Sequence, residues 1–254
     1  MTTGNAEVIT EKSGAILRLT MSASQTKNAL TNEMYRTMVA ALEDAAQDSA
    51  IRVVLLSGAG GIFTSGNDVN SFAHAVKTGD LAAADFLRAI IGFPKPIVAR
   101  VEGLAIGIGT TMLLHCDLIY AAEGTRFQMP FVDLGLVPEA GASYLVPRMV
   151  GQAKAAELIL LGRMFDAGEA LEMGFINAVL PATEVAQAAE AAADALSKRA
   201  PVAMAKSKAL LRASEPENLM DRVNTELVDF AAGVKAAEFA EAYTAFVEKR
   251  APKF

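Results

Sequence analysis

The segment Pro138-Glu139-Ala140-Gly141 places a carboxylate at a turn into a helix, within an apolar stretch over 127–147 whose other acid is Asp133. A lone carboxylate among apolar side chains is a candidate general base, because desolvation strengthens its hold on a proton. Taken by itself, Glu139 is equally at home as an acid in a first helical turn, facing the positive end of the backbone dipole. Asp133 lies two positions past Phe131, so in an extended stretch the two would share a face, and a second acid beside a pocket is conceivable. His115-Cys116-Asp117 could suggest a nucleophile cluster, but neighbours at a helix end point in different directions, and packing is the better reading.

Two glycine turns offer a complementary chemistry. Phe63-Thr64-Ser65-Gly66-Asn67-Asp68 and Gly103-Leu104-Ala105-Ile106-Gly107-Ile108-Gly109 each follow a predicted strand and precede a helical stretch. If the Asn67 and Ile108 N–H groups converge on one point, they would hold a carbonyl oxygen and stabilise the charge it gains on enolisation. Ordinary strand-to-helix punctuation is the alternative for either turn alone. Neither matches a nucleotide-binding glycine pattern: no glycine stands three residues past Gly109, and no Gly-Lys-Ser/Thr occurs.

The elements that must hold these groups alternate along the chain. Strands are expected over 8–10, 15–20, 52–56, 97–101, 118–121 and 176–180, and helices over 81–91, 108–115, 155–161, 185–196 and 202–211. Met34, Met38, Ala41, Leu42 and Ala45 recur at helical spacing, and Ser57 to Gly61 end the 52–56 strand. The order strand, helix, strand, helix argues for an α/β fold with parallel pairing. Two last helices, 217–231 and 236–249, carry a stripe of Leu219, Val223, Leu227 and Phe230 that suits either a partner subunit or the chain's own core.

Composition narrows the functions. The chain has 254 residues, 52% of them hydrophobic, and a formal charge of -6, which works against a broad grip on nucleic acid. Cys116 is the single cysteine and His74 and His115 the two histidines, so no disulfide framework and no metal site are expected, and a reducing cytoplasm fits best. The start, MTTGNAEVIT, has neither the basic nor the apolar run of a secretory signal, and no lipidation cysteine is seen. The most apolar run, 103–114, falls short of the roughly 20 residues that span a membrane, so no membrane partner is expected.

The succession Lys27-Asn28-Ala29-Leu30, FTSGND, KPIVARVEGLAIGIG, CDLIYAAEGTRFQMP and LGLVPEAGASYLVPRMVG resembles the crotonase (enoyl-CoA hydratase/isomerase) superfamily, in order and over nearly the whole chain. The resemblance implies a spiral of strand-strand-helix units over 1–198 and a helical trimerisation region over 199–254. It implies an acyl-CoA thioester as substrate, no further cofactor, a homotrimer or dimer of trimers, and an oxyanion hole from the Asn67 and Ile108 amides. Lys27, Ala29 and Asp68 would lie along the coenzyme A path. Phe230 and Lys249 match positions that reach a neighbouring subunit's nucleotide, the ring on adenine and the ammonium toward phosphate.

Departures from the family pattern say more. Hydratases of this family keep one glutamate just past the second glycine turn and another after the proline of the QMP-like strand; here those positions are Thr111 and Phe131. Neither can activate water. In the subgroup that resembles Δ3,Δ2-enoyl-CoA isomerases, the catalytic glutamate lies in an L-G-x-x-P/T-E-G/A segment, where Glu139 stands. Moving a double bond from C3 to C2 needs one base to take a proton at C2 and return it at C4. Thr111, Phe131 and Val137 would then line the acyl pocket, with Leu145 alongside. Other chemistry on a CoA thioester, including hydration or nucleophilic attack, and a non-catalytic binding module remain as alternatives.

Overall fold

The computed structural model describes residues 6–68, 70–71, 78–80, 82–213 and 219–254. His74 and the expected starts of two helices, Leu81 and Glu217, lie outside the described residues. Strands β1 (Glu7–Ser13) and β2 (Ile16–Ser22) form a hairpin across Gly14, whose φ of +59° is cheap only for glycine. Helix α1 (Asn32–Gln47) begins at Thr31, whose side chain accepts from the Met34 N–H, and buries Met34, Tyr35, Met38, Leu42 and Ala45. Next come β3 (Val53–Gly58), α2 (Ala82–Gly92), β4 (Ile97–Val101) and β5 (Leu104–Ile106).

Strand β3 runs two residues beyond the expected 52–56. Thr20 and Met21 of β2 stay in register with Ser57 and Gly58, and a Cβ on Gly58 would meet the Ile62 carbonyl oxygen at 1.9 Å. The expected 108–115 helix is split into α3 (Ile108–Thr111) and a 3-10 turn over Met112–His115. Strands β6 (Leu118–Ala122) and β7 (Arg126–Gln128) follow, then α4 (Ala142–Val150) and α5 (Gln152–Leu160), separated by Gly151 at φ +80°. Strand β8 (Phe165–Asp166), α6 (Ala167–Glu172), β9 (Ala178–Leu180), α7 (Val185–Ser197), α8 (Pro201–Ala213), α9 (Leu219–Val234) and α10 (Ala237–Glu248) complete the described elements.

The main sheet has the order β1-β2-β3-β4-β6-β9, parallel from β2 onward. Alternation along β3 divides the core. Val54 and Leu56 face α1 and α2, whereas Val53 and Leu55 join Ile16, Val98, Ala189 and Ala193 under α7. Covering both faces explains why all six β3 residues are buried. A smaller sheet, β5-β7-β8, carries the stacked rings of Phe127 and Phe165 with Phe175 edge-on to both.

Helix α8 is pinned to this core by its cations. Lys208 Nζ donates to the Lys95 carbonyl and to Asp117 Oδ2, both at 2.7 Å, and Arg212 donates to the carbonyls of Ile91 and His115. The α9 stripe faces inward as well. Val223 is fully buried, and Leu227, Phe230 and Val234 pack on the main core, so of the two uses open to that stripe the chain's own core takes it.

Candidate active site

The two glycine turns are laid side by side by strand register. Thr64 pairs in parallel with Ala105, its N–H donating to the Leu104 carbonyl while its own carbonyl accepts from Ile106. Asn67 and Ile108 each stand three residues past that pair, so the register itself carries both amides to neighbouring strand ends. The approach is close: a Cβ on Gly66 would meet the Ile106 oxygen at 2.7 Å, and one on Gly109 the Thr64 methyl at 2.5 Å. Among the described residues neither the Asn67 nor the Ile108 N–H donates to a protein acceptor. Tyr35, reaching from α1, donates its hydroxyl to Asn67 Oδ1 at 2.5 Å and steadies the first turn. Burial, with the nearby Glu139 charge, raises the Tyr35 pKa well above its usual value and keeps the ring a neutral donor.

Glu139 enters from the other side. It does not lie in the first turn of α4: that helix begins at Ala142, behind Gly141, and the first-turn reading of Glu139 is thereby corrected. The open amides of that terminus belong instead to Glu226 of α9. The Gly141 N–H donates to Glu226 Oε2 at 2.6 Å, and Ser143 donates its N–H and hydroxyl to Oε1 at 3.0 and 2.5 Å. Ala140 is held at φ +60°, unusual for a residue with a Cβ, and its carbonyl accepts from His115 Nε2 at 2.8 Å. Burial pushes His115 down to about 4, so at neutral pH the ring is uncharged and Nε2 carries the proton. Gly141 is at φ +72°, and a Cβ there would meet Leu219 at 2.7 Å.

So held, the Glu139 side chain is only 4% exposed and borders a cavity of about 340 Å³ together with Asn67, Leu30, Leu87, Leu227 and Phe230. Thr111 Oγ1 donates to Glu139 Oε1 at 2.6 Å, which leaves Oε2 without a partner among the described residues. Burial raises its pKa to about 7, against the Thr111 hydrogen bond and helped by the charge of Glu226. A carboxylate poised near neutrality can both take and return a proton.

The other candidate residues divide by placement, and several are moved. Phe131 is buried, is not among the residues that border the cavity, and meets edge-on at 6.4 Å the ring of Phe230, which does border it. Val137 is 36% exposed and does not border the cavity; the 3-10 turn at 132–134 ends in left-handed Gly135, which turns Leu136 inward instead. That turn also removes the premise for Asp133: Phe131 is helical, the stretch is not extended, and Asp133 is exposed. Leu145 is buried behind Gly141.

Lys27 is exposed at φ +55°, beside the FTSGND turn through its carbonyl, which accepts from Ser65. Ala29 is buried on the same segment, and the Asp68 carboxylate caps the next turn by accepting from the Ser71 N–H. Lys249 is exposed at the C-cap of α10 and is not among the residues that border the cavity. Cys116 is half-buried, and desolvation pushes its thiol up to about 12, which keeps it protonated. Among the described residues no three His, Cys, Asp or Glu side chains gather as metal ligands would, and no helix is long and apolar enough to cross a membrane.

Glu226 and Tyr35 were not anticipated. The sequence did carry a signal for Glu226: it falls seven residues after Leu219 and three after Val223, on the buried face of an apolar stripe where an acid is out of place. Tyr35 hides among ordinary core positions of α1.

The sequence profile of enoyl-CoA hydratase/isomerase matches residues 11–254. The chain belongs to that family. Its spiral matches solved members of the crotonase fold, among them an enoyl-CoA hydratase/isomerase from Pseudoalteromonas atlantica, with a TM-score of 0.93 and 40% identity over 97% of this chain and 99% of that one. Within the family it is similar to Enoyl-CoA delta isomerase 2 of Rattus norvegicus, 33% identical over 96% of this chain, and it spans 64% of that protein's length. It is also 31% identical to the 2,3-dehydroadipyl-CoA hydratase of Escherichia coli K12, over 98% of both chains. Isomerases and hydratases both stand among its relatives, so membership fixes the family of enzymes and leaves the reaction to the site.

Proposed function

We propose that the protein is a Δ3,Δ2-enoyl-CoA isomerase of fatty acid metabolism, with Glu139 as its single base. The observation that carries this reading is the buried Glu139 carboxylate on the cavity, poised at about 7, with Thr111 and Phe131 where resembling hydratases keep acids. The thioester oxygen would accept from the Asn67 and Ile108 amides, which sharpens the acidity of the C2 proton. Glu139 removes that proton through its unpartnered oxygen, the dienolate charge rests in the oxyanion hole, and the same carboxyl returns the proton at C4. No water enters, and the substrate's coenzyme A needs no additional cofactor.

Lys27, Ala29 and Asp68 support the coenzyme A path at the first turn, and Lys249 a phosphate contact from a neighbouring subunit of a homotrimer. The acidic composition and single cysteine agree with a cytoplasmic enzyme.

Glu139→Gln keeps the shape and the Thr111 contact but removes the base. Isomerisation of a 3-enoyl-CoA should fall by about 10³-fold or more, with thioester binding held within about twofold. Retained turnover sinks the assignment. Hydration of a 2-enoyl-CoA at a rate rivalling isomerisation would favour the hydratase reading instead.

A further inference from the structure

Glu226 is a second buried carboxylate within the same shell, 5% exposed, and it touches neither the cavity nor Glu139 directly. Its three acceptor contacts all go to the N-terminal end of α4: the amide of the capping Gly141, and the amide and hydroxyl of Ser143. Those contacts hold the segment that carries Glu139. Ala140 keeps a left-handed φ of +60°, and the peptide plane that follows it is held at both edges: its carbonyl accepts from His115 Nε2, and its N–H, that of Gly141, donates to Glu226. Without Glu226 the Gly141 and Ser143 amides would be left open at the positive end of α4, and Glu139, two residues before Gly141, is an acid adjacent in the chain that they could draw.

We propose that Glu226 is a positioning residue that occupies the α4 terminus in place of Glu139, so that seating of α9 on the core turns the base toward the cavity. This rests on Glu139 being the base of the proposed reaction. The arrangement ties the C-terminal helices to the chemistry: α9 supplies the clamp and, through Leu227 and Phe230, one wall of the cavity.

Charge reinforces the geometry. Glu226 raises the proton affinity of Glu139 across this short gap, and the exposed dipole of an uncapped α4 would lower it. The groups facing Glu139 are Tyr35 from α1, neutral His115 beside Ala140 and Glu226 from α9, with Arg222 acting on Glu226. Asp80, Arg88 and Lys235 border the cavity.

Glu226→Gln is the test, because its amide cannot accept from both Gly141 and Ser143 and carries no charge. The Glu139 carboxyl is followed by ¹³C NMR in the free protein, its signal assigned by loss in Glu139→Gln, so this arm reads out even if 3-enoyl-CoA proves not to be the substrate. Expected are a titration midpoint lowered by about one unit, kcat lowered about 10-fold to 100-fold at a KM within about twofold, and recovery of the midpoint in Glu226→Asp. An unchanged midpoint with unchanged kcat in Glu226→Gln overturns the proposal. Should that variant fail to fold, Ser143→Ala removes one of the three donors: a severalfold lower kcat at constant KM supports the clamp, and an unchanged kcat overturns it.

Discussion

In the proposed reaction the ionisation of Glu139 serves catalysis while it opposes folding, and the two effects have opposite signs with pH. Its pKa in the folded protein is raised from 4.5 to about 7, chiefly by burial. The fold therefore favours the protonated form: that stability is fully present below the unfolded value and is lost as pH rises through about 7. A shift of this size corresponds to about 3 kcal/mol when complete. The wild type should lose stability between about pH 5 and 8, as kcat/KM for the proposed reaction climbs with ionisation of the base. Urea unfolding of Glu139→Gln beside wild type should show the variant more stable by up to about 3 kcal/mol at pH 8 and matched at pH 4. Equal stability at both pH values would mean that the carboxylate is not desolvated as the fold implies. Glu139 was legible as a candidate only through the family resemblance of its Leu134-Gly135-Leu136-Val137-Pro138 surroundings and the absence of acids at Thr111 and Phe131. Which acid caps α4 was not, because Glu226 lies 83 residues beyond Ser143 and meets it only once α9 is seated.

At the scale of elements, the site depends on two turns packed backbone against backbone. Gly66 stands at φ +93° with the Ile106 oxygen 2.7 Å from where a Cβ would be, and backbone cannot give way as a flexible side chain does. Gly66→Ala should therefore cost more than the roughly 1 kcal/mol of a left-handed glycine replaced in open space, and it should lower kcat by parting the two amides. Gly60→Ala is the control, with φ +67° and nothing within 4 Å. Matching urea midpoints and rates for the two variants would show that the turns do not rely on this contact. Strand β4 matched its expected 97–101 bounds because a short β-branched run after Pro96 has one plausible reading. The split at Thr111 was hidden because Thr110 hydrogen-bonds the Ala105 and Gln128 carbonyls, partners from two strands that tighten the helix beyond its own periodicity. Strand β8, two residues long, exists only by pairing with β7.

For the whole molecule, α9 walls one side of the cavity, while other apolar side chains stay uncovered. Leu160 and Leu161 at the end of α5 are 63% and 69% exposed, and Met149 and Met164 nearby in sequence are exposed too. Burying each such leucine would contribute roughly 2 kcal/mol, which the homotrimer implied by the family resemblance would supply. Light scattering should then give about 80 kDa, three times the 26.7 kDa chain, and Leu161→Asp should shift the mass toward the single chain. A wild-type mass of one chain would remove the trimer from the account. By itself the sequence determined the α/β order, from local residue type and spacing, and the family, from its resemblance to the crotonase superfamily; that resemblance also singled out Glu139, with Thr111 and Phe131 where its hydratases keep acids. Only the tertiary structure decided that Val137 turns outward, that Phe230 borders the cavity beside Phe131 and that Glu226 holds the α4 terminus. Each of those depends on contacts between residues distant in the chain, and hydrogen bonding and burial are settled by what the fold brings within a few ångströms, not by what is adjacent in sequence.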